Sequence, residues 1–358
     1  MNNLTILLSY LIIAFWLTFI VIPYYIRFLN YFRLGKTIRE EALIWKATEF
    51  AKLHKKKTGT PTMGWGIIIG IIFILVFVSI LFQKYNLFFE NIFWFDIKYS
   101  LWNRNETYLA LFTLFTVGCI WLVDDYMNVR EIGRTKWLWA KIKMILLIIF
   151  ASIGAWWFYS KLWYQSIHIP FFWILNVEFL YIPLFVLIVV AMANSVNITD
   201  GLDGLAGGLL LFNYTVYAFI TYQRGLFILA ALCMIIVGTL IAFLWFNIKP
   251  AKFYMGDIWS LSLWATLAIM AMMTDTLMVL LITGSIFIGE TMSVILQITS
   301  KKLRNGKKIF RIAPFHHHLE AIGWSEETIV MRLWLIGMIL ASIGLIIGIS
   351  LLNKTTLL

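Results

Sequence analysis

The chain has 358 residues, of which 61% are hydrophobic and 13% charged, with a formal net charge of +11. Soluble domains average about 45–50% apolar and about 25% charged residues, so this composition excludes a disordered chain, a collagen-like chain and a soluble globular enzyme. Two cysteines in the whole chain exclude a disulfide framework and a cysteine-rich zinc module.

A helix needs about 20 apolar residues to cross a hydrocarbon layer roughly 30 Å thick. Runs that are continuous, not alternating, favour helices over a barrel. The pattern predicts ten spans, over residues 5–25, 63–82, 108–123, 137–159, 177–193, 205–222, 226–246, 259–273, 276–297 and 331–351, of which the third and eighth are short. The first run lacks a basic leading region and reads as a span, not a cleaved signal. The expected fold class is all-α: a polytopic membrane helical bundle of about ten transmembrane helices, forming one integral-membrane domain over 1–358.

Lysine and arginine orient it. Loops 26–62, 124–136, 194–204, 247–258 and 298–330 carry twenty, and the loops on the other face carry six. The rich face is expected to be cytoplasmic, with both termini extracytoplasmic. The basic excess is then a topology signal and an attraction for anionic lipid or polyphosphate, with no nucleic acid implied. Segment 83–107 is rich in aromatics and reads as an outside loop, a short hairpin or an interfacial element.

Polar groups near a bilayer need a reason, and in chain order they cluster on the basic face. Lys55-Lys56-Lys57-Thr58-Gly59-Thr60-Pro61-Thr62-Met63-Gly64 offers basic and hydroxyl groups for an anion. Asp124-Asp125 closes the third span; adjacent carboxylates repel, and a hard cation such as Mg²⁺ relieves that. Loop 194–204 has no basic residue but places Asn194, Asn197, Asp200 and Asp203 three apart. That is one polar stripe if helical, or a turn if Gly201 and Gly204 break it. Asn247 adds an amide to the same face. Phe253-Tyr254-Met255-Gly256-Asp257 precedes the eighth span, with Asp257 a helix cap or a metal ligand. Glu290 is the main charged exception inside a span and reads as structural, paired with a neighbouring helix or lining a lipid groove. His316-His317-His318 follows Pro314-Phe315; on a helix consecutive side chains diverge by about 100°, so three cannot share one ion. Phosphate contact and proton transfer suit them better. Several carboxylates, a lysine, amides and imidazoles on one face favour a phosphate-bearing substrate held through Mg²⁺. A membrane-borne lipid phosphate attacking a nucleotide diphosphate fits that face.

At this point a resemblance becomes specific. Thr60-Pro61-Thr62-Met63-Gly64, Asp124-Asp125-Tyr126, Asn197-Ile198-Thr199-Asp200-Gly201-Leu202-Asp203-Gly204-Leu205, Met255-Gly256-Asp257 and Pro314-Phe315-His316-His317-His318-Leu319-Glu320 occur in one order and spacing. In these the chain resembles the phospho-N-acetylmuramoyl-pentapeptide-transferases, within the polyprenyl-phosphate N-acetylhexosamine-1-phosphate transferase superfamily. The resemblance implies undecaprenyl phosphate and UDP-N-acetylmuramoyl-pentapeptide as substrates, lipid I and UMP as products, Mg²⁺ as cofactor and a homodimer in the inner (cytoplasmic) membrane. It implies Asp257 as the metal ligand, and Asp124, Asp125, Asp257 and His316 as the catalytic set. Lys57, Thr62, Lys136, Asn194, Asn197, Asp200, Asp203, Asn247, Tyr254, His317 and His318 are implied to bind substrate, with Tyr254 where an aromatic stacks on uracil. Two departures stand out: Trp65 and Trp259 occupy positions where the family has glycine. The rival readings are another UDP-sugar transferase of the superfamily, a lipid transporter and a structural scaffold. Transporters usually place charge near the midplane, and a scaffold explains neither the aspartate pairs nor the histidine run.

Overall fold

The structure, a computed structural model, describes residues 3–32, 59–85, 100–102, 105–129, 140–170 and 174–355. Helices α1 (Asn3–Tyr31), α2 (Trp65–Lys84), α3 (Asn105–Val129) and α4 (Ala140–Lys161) are followed by strands β1 (Ser166–His168) and β2 (Ile174–Asn176). Then come α5 (Tyr181–Thr199), α6 (Leu205–Gln223), α7 (Phe227–Asn247), α8 (Asp257–Met273), α9 (Leu277–Thr283), α10 (Ser285–Leu303), α11 (Phe315–Ala321) and α12 (Glu326–Thr355).

Among the described residues, seven helices are long and apolar enough to cross a membrane. The α9–α10 pair makes an eighth if taken as one span bent by 71°. The apolar parts of α3 and α8, Thr107–Cys119 and Leu261–Met273, are shorter. Each apolar run of the sequence therefore coincides with a helix or a bent pair, and the chain is a multi-pass helical membrane protein.

Helix α7 is apolar on every side, and such a helix belongs inside. Nearly all of it is buried, against α1, α2, α3 and α6. Helix α8 is a second buried rod, packed on α3 and α5, while α12 lies along α6 and α9. Gly208 faces the Trp334 indole and Gly344 faces Thr283, so α12 approaches its neighbours where a side chain would not fit. The outward faces carry exposed Leu8, Ile12 and Ile20 on α1, Ile145, Ile149 and Ile153 on α4, and Leu335, Ile339 and Ile346 on α12. Apolar surface of this extent suits lipid.

Three elements differ from the sequence reading. The fifth run continues as helix to Thr199, with the Asn194, Ser195 and Thr199 side chains folded back onto carbonyls one turn earlier, which satisfies them without leaving the helix. The ninth breaks at Gly284, where a Cβ would lie 2.8 Å from Leu280 O and 2.9 Å from Trp264. The all-α expectation also omits the hairpin, in which Ser166 pairs with Asn176 and His168 with Ile174. His168 Nδ1 pairs with the Asp275 carboxylate, and Tyr164 Oη donates to Met273 O at 2.7 Å, holding the hairpin to the end of α8. The aromatic residues 88–95 lie outside the described residues.

Candidate functional site

The polar clusters, distant in sequence, meet at one end of the bundle. The Pro61–Gly64 and Tyr254 segments pair through backbone: Tyr254 N donates to Pro61 O at 2.8 Å, and Gly64 N donates to Tyr254 O at 3.0 Å. Gly64 is required by this approach, since a Cβ there would lie 2.7 Å from the Phe253 ring and 2.8 Å from Tyr254 O. Tyr25 of α1 donates its hydroxyl to Met63 O at 2.9 Å, and Thr62 is buried beside it in sequence.

The 194–204 segment is both helix and turn. Asn194 and Asn197 lie on the last turns of α5, and Asp200 caps its C-terminus. The chain then turns through Gly201–Gly204, with Gly204 at φ 82°, before α6 begins. This turn is held from three sides. Asp203 N donates to Glu326 Oε1 at 2.8 Å, and Ala251 N donates to Asp203 Oδ2 at 3.2 Å. Gly204 N donates to Asn247 Oδ1 at 3.1 Å, while Asn247 Nδ2 donates to Phe253 O at 2.9 Å. Asn247, buried, is thus a strap between two loops. Lys249 Nζ lies 3.3 Å from Glu326 Oε2 and 2.9 Å from Glu327 Oε1. Desolvation alone would lower the lysine's pKa, but the two glutamates outweigh it and raise it. Burial, and then the Asp203 charge, push the Tyr254 phenol above its ordinary value, with Thr60 opposing through a hydrogen bond. Tyr254 is therefore neutral and sits within the field of Asp203, Asp200 and Glu326.

The histidines lie on α11 and diverge as helical geometry requires. His316 and His317 are buried with ring centroids 4.1 Å apart. His318 points elsewhere, accepting Arg311 N at Nδ1 (3.2 Å) and packing on Phe310 and Phe315. Glu290 of α10 is buried and accepts both His316 N (3.2 Å) and His316 Nδ1 (3.1 Å). Glu320 holds His317 Nδ1 at 2.6 Å. A carboxylate only accepts, so Nδ1 carries the proton in each ring and Nε2 faces inward. His316 Nε2 is buried and has no hydrogen-bond partner. Gly201 lies against both Nε2 atoms: a Cβ there would come within 3.0 Å of His317 Nε2 and closer to His316 Nε2. Beside this group an apolar groove of about 240 Å³ runs along α10, lined by Glu290, Ser293, Leu296, Phe315 and Leu333.

Asp257 is the first residue of α8, and the cap position belongs to Gly256 at φ 85°, so the cap reading of Asp257 is corrected. The side chains of Trp65, Asp124, Asp125, Asp257 and Trp259, and the whole of Lys57 and Lys136, lie outside the described residues. Their helices still fix levels. Leu109, Thr113, Ile269 and Met273 line one cavity, so the start of α3 meets the end of α8 and the packed pair is antiparallel. At 1.5 Å per residue, Thr113 to Asp124 rises about 16 Å and Ile269 to Asp257 about 18 Å. The backbones of the three aspartates reach one level, at the end where Tyr254 and the histidines gather. Among the described residues no three His, Cys, Asp or Glu side chains form a metal-sized group.

Lys249 and Glu326 were not singled out in the sequence, and Glu320 appeared there only as the last residue of the histidine motif. Glu290, read as pairing with a neighbouring helix or lining a groove, does both, through His316 and the groove along α10.

Comparison with known proteins agrees with this arrangement. The profile of glycosyl transferase family 4 matches residues 107–275. Phospho-N-acetylmuramoyl-pentapeptide-transferase of a Geobacillus species is 35% identical over 343 residues, covering 95% of this chain and 97% of its own. The enzymes of that name from Staphylococcus saprophyticus and Staphylococcus aureus are each 36% identical, over 95% of this chain and 98% of theirs.

Proposed function

The chain belongs to the phospho-N-acetylmuramoyl-pentapeptide-transferase family, and on that premise we propose that it transfers phospho-N-acetylmuramoyl-pentapeptide from UDP-N-acetylmuramoyl-pentapeptide to undecaprenyl phosphate. The products are lipid I and UMP, the reaction serves peptidoglycan synthesis, and the working assembly is a homodimer. By the charge count the site faces the cytoplasm across the inner membrane, with both termini outside.

The observation that carries this reading is the meeting of loop 200–204, the Tyr254 segment, Pro61–Gly64 and the His316–His317 pair at one end of the bundle. A nucleotide diphosphate needs amides, an aromatic and anion-binding groups within one ligand's reach, and those elements supply them. Asn197 and Asp200 face the uridine with Tyr254 as a neutral stacking surface, and Asn194 supports them. Asp203 and Asn247 act on the substrate through the loops that they tie. Lys57, Thr62 and Lys136 meet phosphate charge. His316 presents the Nε2 lone pair to a sugar hydroxyl, or a second ring proton there to a phosphate oxygen, and His317 completes that wall, while His318 braces the segment through Arg311 N and the Phe310 and Phe315 rings. The groove along α10, beside the His316 end of the site, offers an apolar path for a polyprenyl chain.

The donor set fits Mg²⁺: oxygen ligands on two packed antiparallel helices, with His316 and His317 already engaged by glutamates. Asp257 would hold the ion with Asp124 or Asp125, and when bound it would neutralise phosphate oxygens and polarise the reacting phosphorus. The remaining aspartate positions the lipid phosphate for in-line attack on the sugar-linked phosphorus, and UMP leaves. A lipid phosphate is anionic near neutral pH, so orientation contributes more than proton abstraction.

The test is UMP release by detergent-purified protein with both substrates. Asp257→Asn and Asp125→Asn should each abolish turnover while leaving the unfolding midpoint unchanged, and chelation of Mg²⁺ should abolish it reversibly. Near-parental turnover of either variant removes that residue's role. Turnover with UDP-N-acetylglucosamine in place of the muramoyl substrate moves the chain to another branch of the superfamily.

A further inference from the structure

The end of the bundle away from the candidate site holds a second cavity, about 1320 Å³ in volume. It lies between the start of α3, the end of α4, the α6–α7 turn and the end of α8. Its walls are aromatic and aliphatic, including Trp102, Phe112, Phe150 and Trp157, and the charged residues lining it are Lys161 and Arg224. Pockets for drug-sized ligands occupy about 300–1,000 Å³, so this one has room for hydrocarbon chains.

The two cations are the notable feature. This end of the chain is poor in lysine and arginine, and loops 160–176 and 223–225 carry one basic residue each, Lys161 and Arg224. Topology disfavours a basic residue on this face, yet both line the same cavity. Arg224 is half-buried, and its Nε is covered without a hydrogen-bond partner. Burial lowers its pKa, and the Asp275 charge is the main offset. Asp275 itself is engaged by His168, through the ring and the backbone N. The guanidinium is therefore a cation held at an apolar cavity with capacity for an anion.

We infer that this cavity binds an anionic phospholipid of the membrane leaflet opposite the candidate site, its acyl chains along the aromatic wall and its headgroup phosphate between Lys161 and Arg224. The phosphate held here is not the reacting one, because the catalytic level is about 16 Å away along α3. The occupant is a resident lipid, and the inference stands independently of the transfer reaction.

The experiment uses full-length protein purified in detergent, titrated with phosphatidylglycerol or phosphatidylcholine of matched chains and read by native mass spectrometry. Phosphatidylglycerol should be retained and phosphatidylcholine lost. Lys161→Gln and Arg224→Gln should each weaken retention about fivefold, and the double variant about thirtyfold. Arg224→Lys should stay near the parent, and UMP release in lipid-free detergent should be unchanged in all four. Equal retention of the two lipids, or parental retention by the variants, overturns the proposal. Displacement of phosphatidylglycerol by equimolar undecaprenyl phosphate would make the carrier the occupant and overturn it equally. If the double variant does not fold, the single variants decide.

Discussion

Gly201→Ala adds one methyl group at the contact between the Asn/Asp turn and the histidine pair. Its Cβ would lie 3.0 Å from His317 Nε2, 3.2 Å from His317 Cε1 and closer still to His316 Nε2. Ordinary contact requires the groups to separate by roughly 0.5–1 Å. Neither ring yields freely. His316 is fixed through ring and backbone by Glu290, and His317 by Glu320. The turn is fixed in its own way by Glu326 and Asn247. Overpacking of this kind costs about 1–3 kcal/mol, and a displacement near 1 Å in a reacting array costs about a hundredfold in rate. UMP release should therefore show kcat lowered by about a hundredfold, with the protein folded and its unfolding midpoint lowered modestly. Parental kcat and KM at a parental midpoint would refute the claim that the turn and the histidines form one rigid site.

Other outcomes follow from the same network. Glu290→Leu removes the one oxygen that accepts both His316 N and His316 Nδ1, so two buried donors lose their acceptor and the unfolding midpoint should fall and kcat drop at least tenfold; each buried donor left unsatisfied costs about 1–3 kcal/mol, and an unchanged midpoint would show that the pairing contributes nothing. Lys249→Met removes the cation from buried Glu326, and the loss of a charged hydrogen bond predicts about 1–3 kcal/mol of destabilisation, checked by thermal unfolding at neutral pH. The Tyr254 phenol is raised above 10.0 in the folded chain, so the fold holds its proton more tightly than the unfolded chain does. That contribution is whole below pH 10 and is lost as pH rises through the folded value. Tyr254→Phe should flatten the fall in unfolding midpoint that sets in above about pH 10, and an unaltered slope would assign the loss to other groups.

The sequence by itself determined the membrane class, the position of every apolar rod and the identity of the clusters, because spanning a bilayer imposes a length and a composition that are local properties. It also determined the divergence of the three histidines, since helical pitch fixes it. It left open whether 194–204 is helix or turn, and the structure shows helix to Thr199, with Asp200 N still donating to Val196 O, and then a turn. Only tertiary structure decided which groups touch. Glu290 lies 26 residues from His316, and Glu326 lies 123 from Asp203, so no local pattern announces either pair. The same holds for Gly201, whose need for glycine comes from imidazoles on another helix and not from its own backbone. Composition and period are written along the chain, whereas the partner of a buried charge is set by which helices pack together.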